Sequence, residues 1–349
     1  MSNVTSSILD CENIQDELNS FFQSCGHEFQ IRRSPFAEML TSDANKSGIE
    51  MVVSPGGGKV KTVTLRYDQK VSAASVSEVN ECNLDCTADN TVGDKSVDYT
   101  IDPCDKLKYQ ESYSWVDFQH NCRSQADYLN KRLAIMMNAI EEKAQVRIAE
   151  EAILLQGNWA SDVAGLTGDV LQIDTRLSNN AIDPNWLPIL DFALEQTAYC
   201  APVLVAGAPE FRNAARLMNA GCCADGGLDL FAILQQYGKA IEWDSYITTA
   251  FGSNAMSLVT QLGAMQLLTY SASTAPNFNG FVNRGTNFEL IPLVSPRLGL
   301  PIDLTVSNDC GNLSLTMTTS LKVVGMPLDM FPTGDYQSGV NYVNYIQAI

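Results

Sequence analysis

The sequence predicts an α+β fold, and three patterns in it carry this prediction. Between about Arg123 and Asn158, apolar residues recur at spacings of three or four, which is the period of a long amphipathic helix. The region 165–285 alternates short strand-like and helix-like segments. Residues from Glu50, and again from Thr286, alternate polar and apolar side chains, which is the period of a β-strand.

The length and composition favour a folded chain with a substantial core. The chain has 349 residues, which favours two lobes or one elaborated domain. Apolar residues make up 45% of it, which is too many for a disordered chain. No run approaches the ~20 apolar residues of a membrane span, so we expect no membrane association. Residues 1–10 lack the basic and apolar regions of a secretory signal, so we expect a protein made in a cytoplasm.

The charge argues against a protein whose main task is to bind nucleic acid. Forty acidic and 22 basic residues give a net charge of −18. Phosphate binding requires a basic patch, and the lysine-rich spots at 59–61 and 106–108 are short. The charge is compatible with an acidic wall that encloses DNA without binding it tightly. Solubility alone also explains it.

Ten cysteines raise the questions of metal binding and of disulfides. Without a secretory signal, free thiols are favoured over a disulfide framework. Cys82, Cys86 and Cys104 have a loose resemblance to a zinc site, but no second tight pair of ligands follows them, so we expect no metal. Oxidation that links loops within or between subunits is the alternative role for these three thiols.

The chain begins with a polar and acidic segment, followed by a predicted strand pair. Within residues 1–48 we expect a short helix at Glu12–Phe22 and otherwise an extended arm that lies on another surface. Strands are predicted on both sides of the turn that contains Gly56, Gly57 and Gly58. Gly58-Lys59 is no phosphate loop, because a strand and not a helix follows the lysine. The stretch 68–103 reads as a long excursion with some strand.

A strand at 105–119 and the long helix come next. Ser124 is the expected N-cap and Gly157 the expected stop of this helix. A coiled coil is the alternative, but no heptad pattern is sustained, so a single helix lying across a sheet is favoured. Glu141 and Glu142 are expected on its solvated face.

After Trp159 the sequence predicts alternating elements and then a β-rich end. Turn residues, proline positions and apolar periodicity place them. We expect helices at Trp186–Tyr199, from Pro209, at Leu228–Tyr237 and at Gln261–Leu268, and strands at Pro202–Ala206, Ala240–Trp243, Met256–Val259, Phe288–Val294 and Leu313–Val324, with a turn at Asp309–Asn312.

The chain is poor in groups that catalysis requires. It has two histidines, His27 and His120, and neither lies in a metalloprotease, hydrolase or dinucleotide-binding motif. Glu150 and Glu151 lack the Glu-x-x-His partner of a di-iron site. We therefore expect no catalytic, cofactor-binding or metal-binding residues. The alternative is a small-pocket enzyme that uses the α/β region 165–285.

Two stretches, and the order of all the elements, resemble a known family. Pro202 to Ala220 is a strand, a small-residue turn and a helix, and Met256 to Leu268 reads as a strand followed by a helix. Both resemble the axial domain of major capsid proteins of tailed bacteriophages, whose fold is named after the Hong Kong phage. The resemblance implies the phage major capsid fold with an N-terminal arm at 1–48, an extended β-loop at 49–104 with room for an inserted feature, a peripheral β-sheet domain at 105–164 and 286–349 that includes the long spine helix at 122–158, and an axial α/β domain at 165–285.

This resemblance also implies a function. Subunits would form pentamers and hexamers of an icosahedral head shell, in the virion, after assembly in the host cytoplasm. The loop with Gly56, Gly57, Gly58 and Lys59 would reach over a neighbouring subunit as an assembly element. Expected partners are the chain itself and portal, scaffolding and decoration proteins, around DNA that is enclosed without sequence-specific binding. An encapsulin-like compartment shell shares the fold and is the alternative.

Overall fold

Helices and mainly antiparallel strands build the chain, as the α+β prediction requires. The computed structural model describes residues 31–46, 50–53, 61–67, 95–102, 104–114, 125–155, 157, 159, 166–167, 170–197, 203–222, 239–272, 288–309, 312–326 and 340–347. The expected helices at Glu12–Phe22 and Leu228–Tyr237, the glycine turn at 56–58 and the cap Ser124 lie outside these residues.

The described α-helices and strands are numbered separately, each in chain order. The α-helices are α1 (Pro35–Thr41), α2 (Gln125–Ala152), α3 (Trp186–Gln196), α4 (Pro209–Cys222) and α5 (Ser245–Phe251). The strands are β1 (Glu50–Val53), β2 (Lys61–Tyr67), β3 (Lys95–Ile101), β4 (Leu107–Ser114), β5 (Leu166–Thr167), β6 (Val170–Arg176), β7 (Val203–Gly207), β8 (Lys239–Trp243), β9 (Met256–Gln261), β10 (Met265–Tyr270), β11 (Phe288–Val294), β12 (Pro301–Asp309), β13 (Asn312–Gly325) and β14 (Val340–Gln347).

These strands form three sheets. A three-stranded sheet has the order β1-β2-β3, and a six-stranded sheet has the order β5-β6-β14-β9-β7-β8. In the five-stranded sheet, β10-β13-β12-β11 follow one another, and β4 also pairs with β13. β14 pairs parallel with β6, and β7 pairs parallel with β8.

The last strand corrects one expectation. Residues 286–349 were all expected in the peripheral domain with 105–164, but β14 lies in the six-stranded sheet, between β6 and β9. There it supplies hydrogen bonds to both neighbours, which would otherwise present open edges to each other. Alternating side chains predict a strand correctly but do not specify its partner.

The predicted helix Gln261–Leu268 is wrong. The chain turns at Gly263, with φ of 82°, and continues as β10, which pairs antiparallel with β13 from Met265 opposite Gly325 to Tyr270 opposite Ser320. A short apolar run fits a buried strand and a buried helix equally well. The glycine at a positive φ and the available edge of β13 decide in favour of the strand.

Helix α2 is the predicted long helix. Its 28 residues span about 42 Å, and a 3₁₀ turn, Ile153–Leu155, ends the helical region just before Gly157. The first half packs on the five-stranded sheet through Leu129, Leu133, Met136, Met137 and Ile140. The second half enters another core, which includes residues of α1, β2 and β10, through Ala144, Ile148, Ala149 and Ala152.

The expected solvated face of α2 is wrong at one position. Glu142 is exposed, but Glu141 is fully buried, with 0% of its surface accessible. The turn after β11 passes over the helix at this point, and the backbone N–H of Arg297 and the hydroxyl of Ser295 both donate to the Glu141 carboxylate. A buried charge is tolerated where such donors meet it.

The arm is also not extended throughout. Helix α1 begins with Ser34 as N-cap, whose Oγ accepts from the N–H of Ala37 at 3.1 Å, and with Pro35 as its first residue. Phe36, Ala37 and Leu40 are fully buried against the chain's own core. A capped start and an apolar pair spaced four apart predict this helix.

Helices α3 and α4 cover one face of the six-stranded sheet. Trp186 of α3 packs on Phe211 of α4 with ring centroids 5.7 Å apart. The core under them contains Ile173, Val205 and Val259 of the sheet. This lobe has the strand–helix alternation that the sequence predicts for 165–285.

Candidate functional surfaces

The structure describes few of the residues that the sequence singles out for assembly. The assembly-loop candidates Gly56, Gly57, Gly58 and Lys59 lie outside the described residues, as do Cys82 and Cys86. Cys104 is exposed and carries a free thiol. Within the described ranges, His, Cys, Asp and Glu side chains nowhere gather in threes as metal ligands. No helix in those ranges has the length and apolarity of a membrane span.

The sheet that carries the predicted loop is fixed firmly at its base. Val63 and Leu65 of β2 are buried in the same core as the second half of α2. The hydroxyl of Tyr99 donates to the carbonyl of Gly325 at 2.5 Å, and Lys322 donates to the carbonyl of Thr100 at 3.1 Å. The strands β1 and β2, which flank the predicted loop, therefore belong to a sheet that is attached to β13.

An ion-pair cluster on α2 holds the turn between β3 and β4. Arg147 donates to Asp105 at 3.0 Å and to Glu151 at 2.8 Å. The hydrogen bond with Asp105 is the main cause that raises the pKa of Arg147, and the same bond lowers the pKa of Asp105. Glu151 also accepts from the N–H of Val323 at 2.6 Å. One helix thus ties together two sheets.

The segment around α1 is held by a buried carboxylate. Asp244 accepts from the hydroxyl of Ser34 at 2.6 Å and from the N–H of Phe36 at 3.2 Å. Its other oxygen caps α5 by accepting from the N–H groups of Tyr246 at 2.9 Å and Ile247 at 3.2 Å. Burial nevertheless raises the pKa of Asp244, because desolvation outweighs these four hydrogen bonds.

Asn45 fixes the other end of the same segment. Its side chain is buried, donates to the carbonyl of Met265 at 2.9 Å and accepts from the N–H of Gly263 at 2.9 Å. The carbonyl of Asn45 accepts from the side chain of Gln266 at 2.8 Å. Residues 34–45 are therefore attached at both ends to the body of the chain.

The α3–α4 lobe exposes large apolar side chains. Phe192 of α3 is 55% exposed, Leu217 of α4 is 51% exposed and Trp243 at the end of β8 is 49% exposed. Each of the three lies on a different element of this lobe, and apolar residues that are exposed singly are ordinary on a protein surface.

Beside Trp243 lies a cleft with an unusual charge for this acidic chain. It has a volume of about 400 Å³ and is lined by residues before α1, by the first turns of α4 and by the end of β8. Its arginines are Arg32, Arg33, Arg212 and Arg216, and Glu242 is its carboxylate. We call it the arginine cleft.

The sequence alone did not single out these residues. Asp244 and Ser34 each precede a helix, so N-cap preferences were the available signal for them. Nothing in the sequence brings Arg32 to Arg216, because their proximity depends on the attachment of α1 beside α4.

Comparison with known proteins gives structural matches only. No family model and no curated protein matches the chain. Among solved structures, it is similar to the capsid of the cyanophage P-SCSP1u, with 12% identity, a TM-score of 0.43 and coverage of 95% of this chain and 94% of that one. It is also similar to the capsid of Myoviridae phage XM1, with 12% identity, a TM-score of 0.38 and coverage of 91% and 94%. The mature capsid of bacteriophage PhiM1 matches with 10% identity, a TM-score of 0.41 and coverage of 82% and 83%.

Proposed function

We propose that this chain is a structural subunit that assembles with copies of itself into the icosahedral head shell of a tailed bacteriophage. The observation that carries the proposal is the arrangement around α2. A helix of about 42 Å joins a five-stranded sheet at its first half to the core of α1, β2 and β10 at its second half. The sheet β1-β2-β3 precedes the helix in the chain, and an α/β lobe follows it.

Each part has a role in this proposal. The spine helix and five-stranded sheet form the peripheral domain, and the α3–α4 lobe forms the axial domain at the centre of pentamers and hexamers. The loop at Gly56–Lys59, on its base of β1 and β2, reaches over a neighbour. Exposed Phe192, Leu217 and Trp243 belong to the subunit contacts. Many such weak contacts together stabilise a closed shell.

The role is structural and not catalytic. The α/β region 165–285 was the place for an alternative small-pocket enzyme. The arginine cleft lies partly on this region, and the charged groups in its lining are four guanidinium groups and the carboxylate of Glu242. Guanidinium groups stay protonated at all ordinary pH values and therefore exchange no protons with a substrate.

Partners and location follow from the same proposal. The shell encloses DNA without sequence-specific binding, because a net charge of −18 keeps packed DNA from adhering to its wall. Portal, scaffolding and decoration proteins complete the virion, which assembles in the host cytoplasm.

Expression of the whole chain, alone and with its neighbouring genes, tests the proposal. Size exclusion and negative-stain microscopy should show capsomers or closed shells. A chain that stays monomeric under all conditions would overturn it. A shell that packages a protein cargo instead of DNA would identify an encapsulin-like compartment.

A further inference from the structure

We infer that the arginine cleft receives carboxylate side chains from a second copy of this chain. The inference rests on the proposed function and deepens it, because it places one contact between neighbouring subunits.

Two of the four arginines in the cleft already have partners. Arg33 pairs with Glu38 at 2.6 Å. Arg212 pairs with Glu242 and also donates to the carbonyl of Ile241 at 2.8 Å. Glu38 thus offsets the charge of Arg33, and the contacts with Glu242 and Ile241 hold Arg212 at the wall of the cleft.

After these two ion pairs, the remaining positive charge of the cleft comes from the other two arginines. Arg32 and Arg216 are exposed, and neither forms an ion pair with a described residue. Their guanidinium groups present planar sets of N–H donors, which match the two oxygens of a carboxylate. The cleft, at about 400 Å³, has room for acidic side chains of another protein surface.

The overall charge favours a second copy as the occupant. Copies of a chain with a net charge of −18 repel one another, so their contacts need sites where opposite charges meet. A cationic cleft on an otherwise acidic protein is such a site, because every other copy offers many carboxylates. Trp243, which is 49% exposed, lies at the same cleft, and tryptophan and arginine are the residue types that dominate interface energetics.

The test compares two charge-reversed variants of the full chain. Arg32→Glu/Arg216→Glu reverses the free charge of the cleft. Lys108→Glu/Lys143→Glu makes the same change in net charge at exposed positions of β4 and α2. We expect the arginine variant to raise the subunit concentration needed for assembly on the order of tenfold relative to the lysine variant, measured by light scattering and sedimentation velocity. The variant Arg32→Lys/Arg216→Lys keeps the charge but loses the planar donor set, so it should assemble at a subunit concentration between those of the wild type and of the arginine-to-glutamate variant.

Each outcome of this comparison either supports or overturns the inference. Equal assembly of the arginine and lysine variants would overturn the inference and leave the proposed function standing. Failure of the wild-type chain to assemble would overturn both. Normal assembly of the arginine variant, together with lost binding of a short DNA duplex, would show that nucleic acid occupies the cleft, which also overturns the inference. If the double variant does not fold, the single variants Arg216→Glu and Lys143→Glu, both at exposed positions and with equal changes in net charge, provide the comparison.

Discussion

The hydroxyl of Ser34 donates to the carboxylate of Asp244 at 2.6 Å, across 210 positions of the sequence. Both residues cap helices, Ser34 at α1 and Asp244 at α5, so each end of this hydrogen bond also orders a helix start. The bond therefore connects the ordering of the N-terminal segment to that of the α/β lobe.

Replacing Ser34 with Ala should loosen α1. The change removes the cap of α1 and one donor to the buried Asp244, and we expect a loss of about 1–2 kcal/mol in the free energy of unfolding, measured by urea denaturation. Ser178→Ala, in an exposed turn, is the control and should change it by less than about 0.5 kcal/mol. Equal losses of unfolding free energy in the two variants would show that the side-chain contacts of Ser34 do not stabilise α1.

Stability should depend on pH through Asp244. Its pKa in the folded chain is raised above the ordinary value of 3.8 by burial. In the window just above pH 3.8, the folded state therefore holds a proton that the unfolded state has released, and this contribution to stability declines as pH rises through the folded pKa. The variant Asp244→Asn has no such titration. The free energy of unfolding of wild type minus that of the variant should thus fall across this window, and a difference that rises with pH would contradict the assignment.

Removing the buried carboxylate of Glu141 should be strongly destabilising. In Glu141→Ala, the hydroxyl of Ser295 and the N–H of Arg297, at 2.7 and 3.0 Å from the carboxylate in the wild type, lose their acceptor. We expect a loss of about 3 kcal/mol in guanidinium denaturation. The adjacent exposed residue supplies a matched control, Glu142→Ala, with an expected change under about 0.5 kcal/mol. Similar losses in both would mean that burial of Glu141 does not matter.

A methyl group at Gly207 should disturb the junction of β7 and β9. Its φ is 136°, and an added Cβ would lie 2.7 Å from the carbonyl oxygen of Met256. Gly207→Ala should therefore lower the free energy of unfolding by about 2–3 kcal/mol. Gly299→Ala, at a φ of 64° with open space around it, should have the smaller effect of about 1 kcal/mol. Thermal melts of the two variants give the comparison, and the reverse order would refute the steric explanation.

Deleting Ser54–Lys59 should leave a folded subunit that does not close shells. The base of this loop, β1 and β2, is held by register pairs such as Val53 opposite Val63 and survives the deletion. Circular dichroism should be unchanged, while negative-stain microscopy should show no closed particles. Normal particles would show that the loop is not an assembly element.

The sequence predicted elements better than it predicted their partners. Helices α2, α3 and α4 and most strands follow from periodicity, capping and proline positions. The error at Met265–Tyr270 arose because a buried apolar run has no distinguishing period, and the edge of β13 that receives it lies more than 40 residues further along the chain. Glu141 was wrongly expected on the solvated face because its hydrogen-bond donor Ser295 lies in the turn after β11, far along the chain. The arginine cleft is formed by three segments that are far apart in the sequence, so no local pattern predicts it.

The place of β14 in the six-stranded sheet has a consequence for the timing of synthesis. β6 and β9 are both made well before residues 340–347, yet each pairs with that strand. While the ribosome is still translating, the two strands have no central neighbour, and the lobe has an open slot. Completion of the lobe must wait for this late strand, and such long-range pairing is slow. Until residues 340–347 are made, β6 and β9 therefore lack the strand that pairs with both of them, and a strand of another chain would find unpaired backbone groups there.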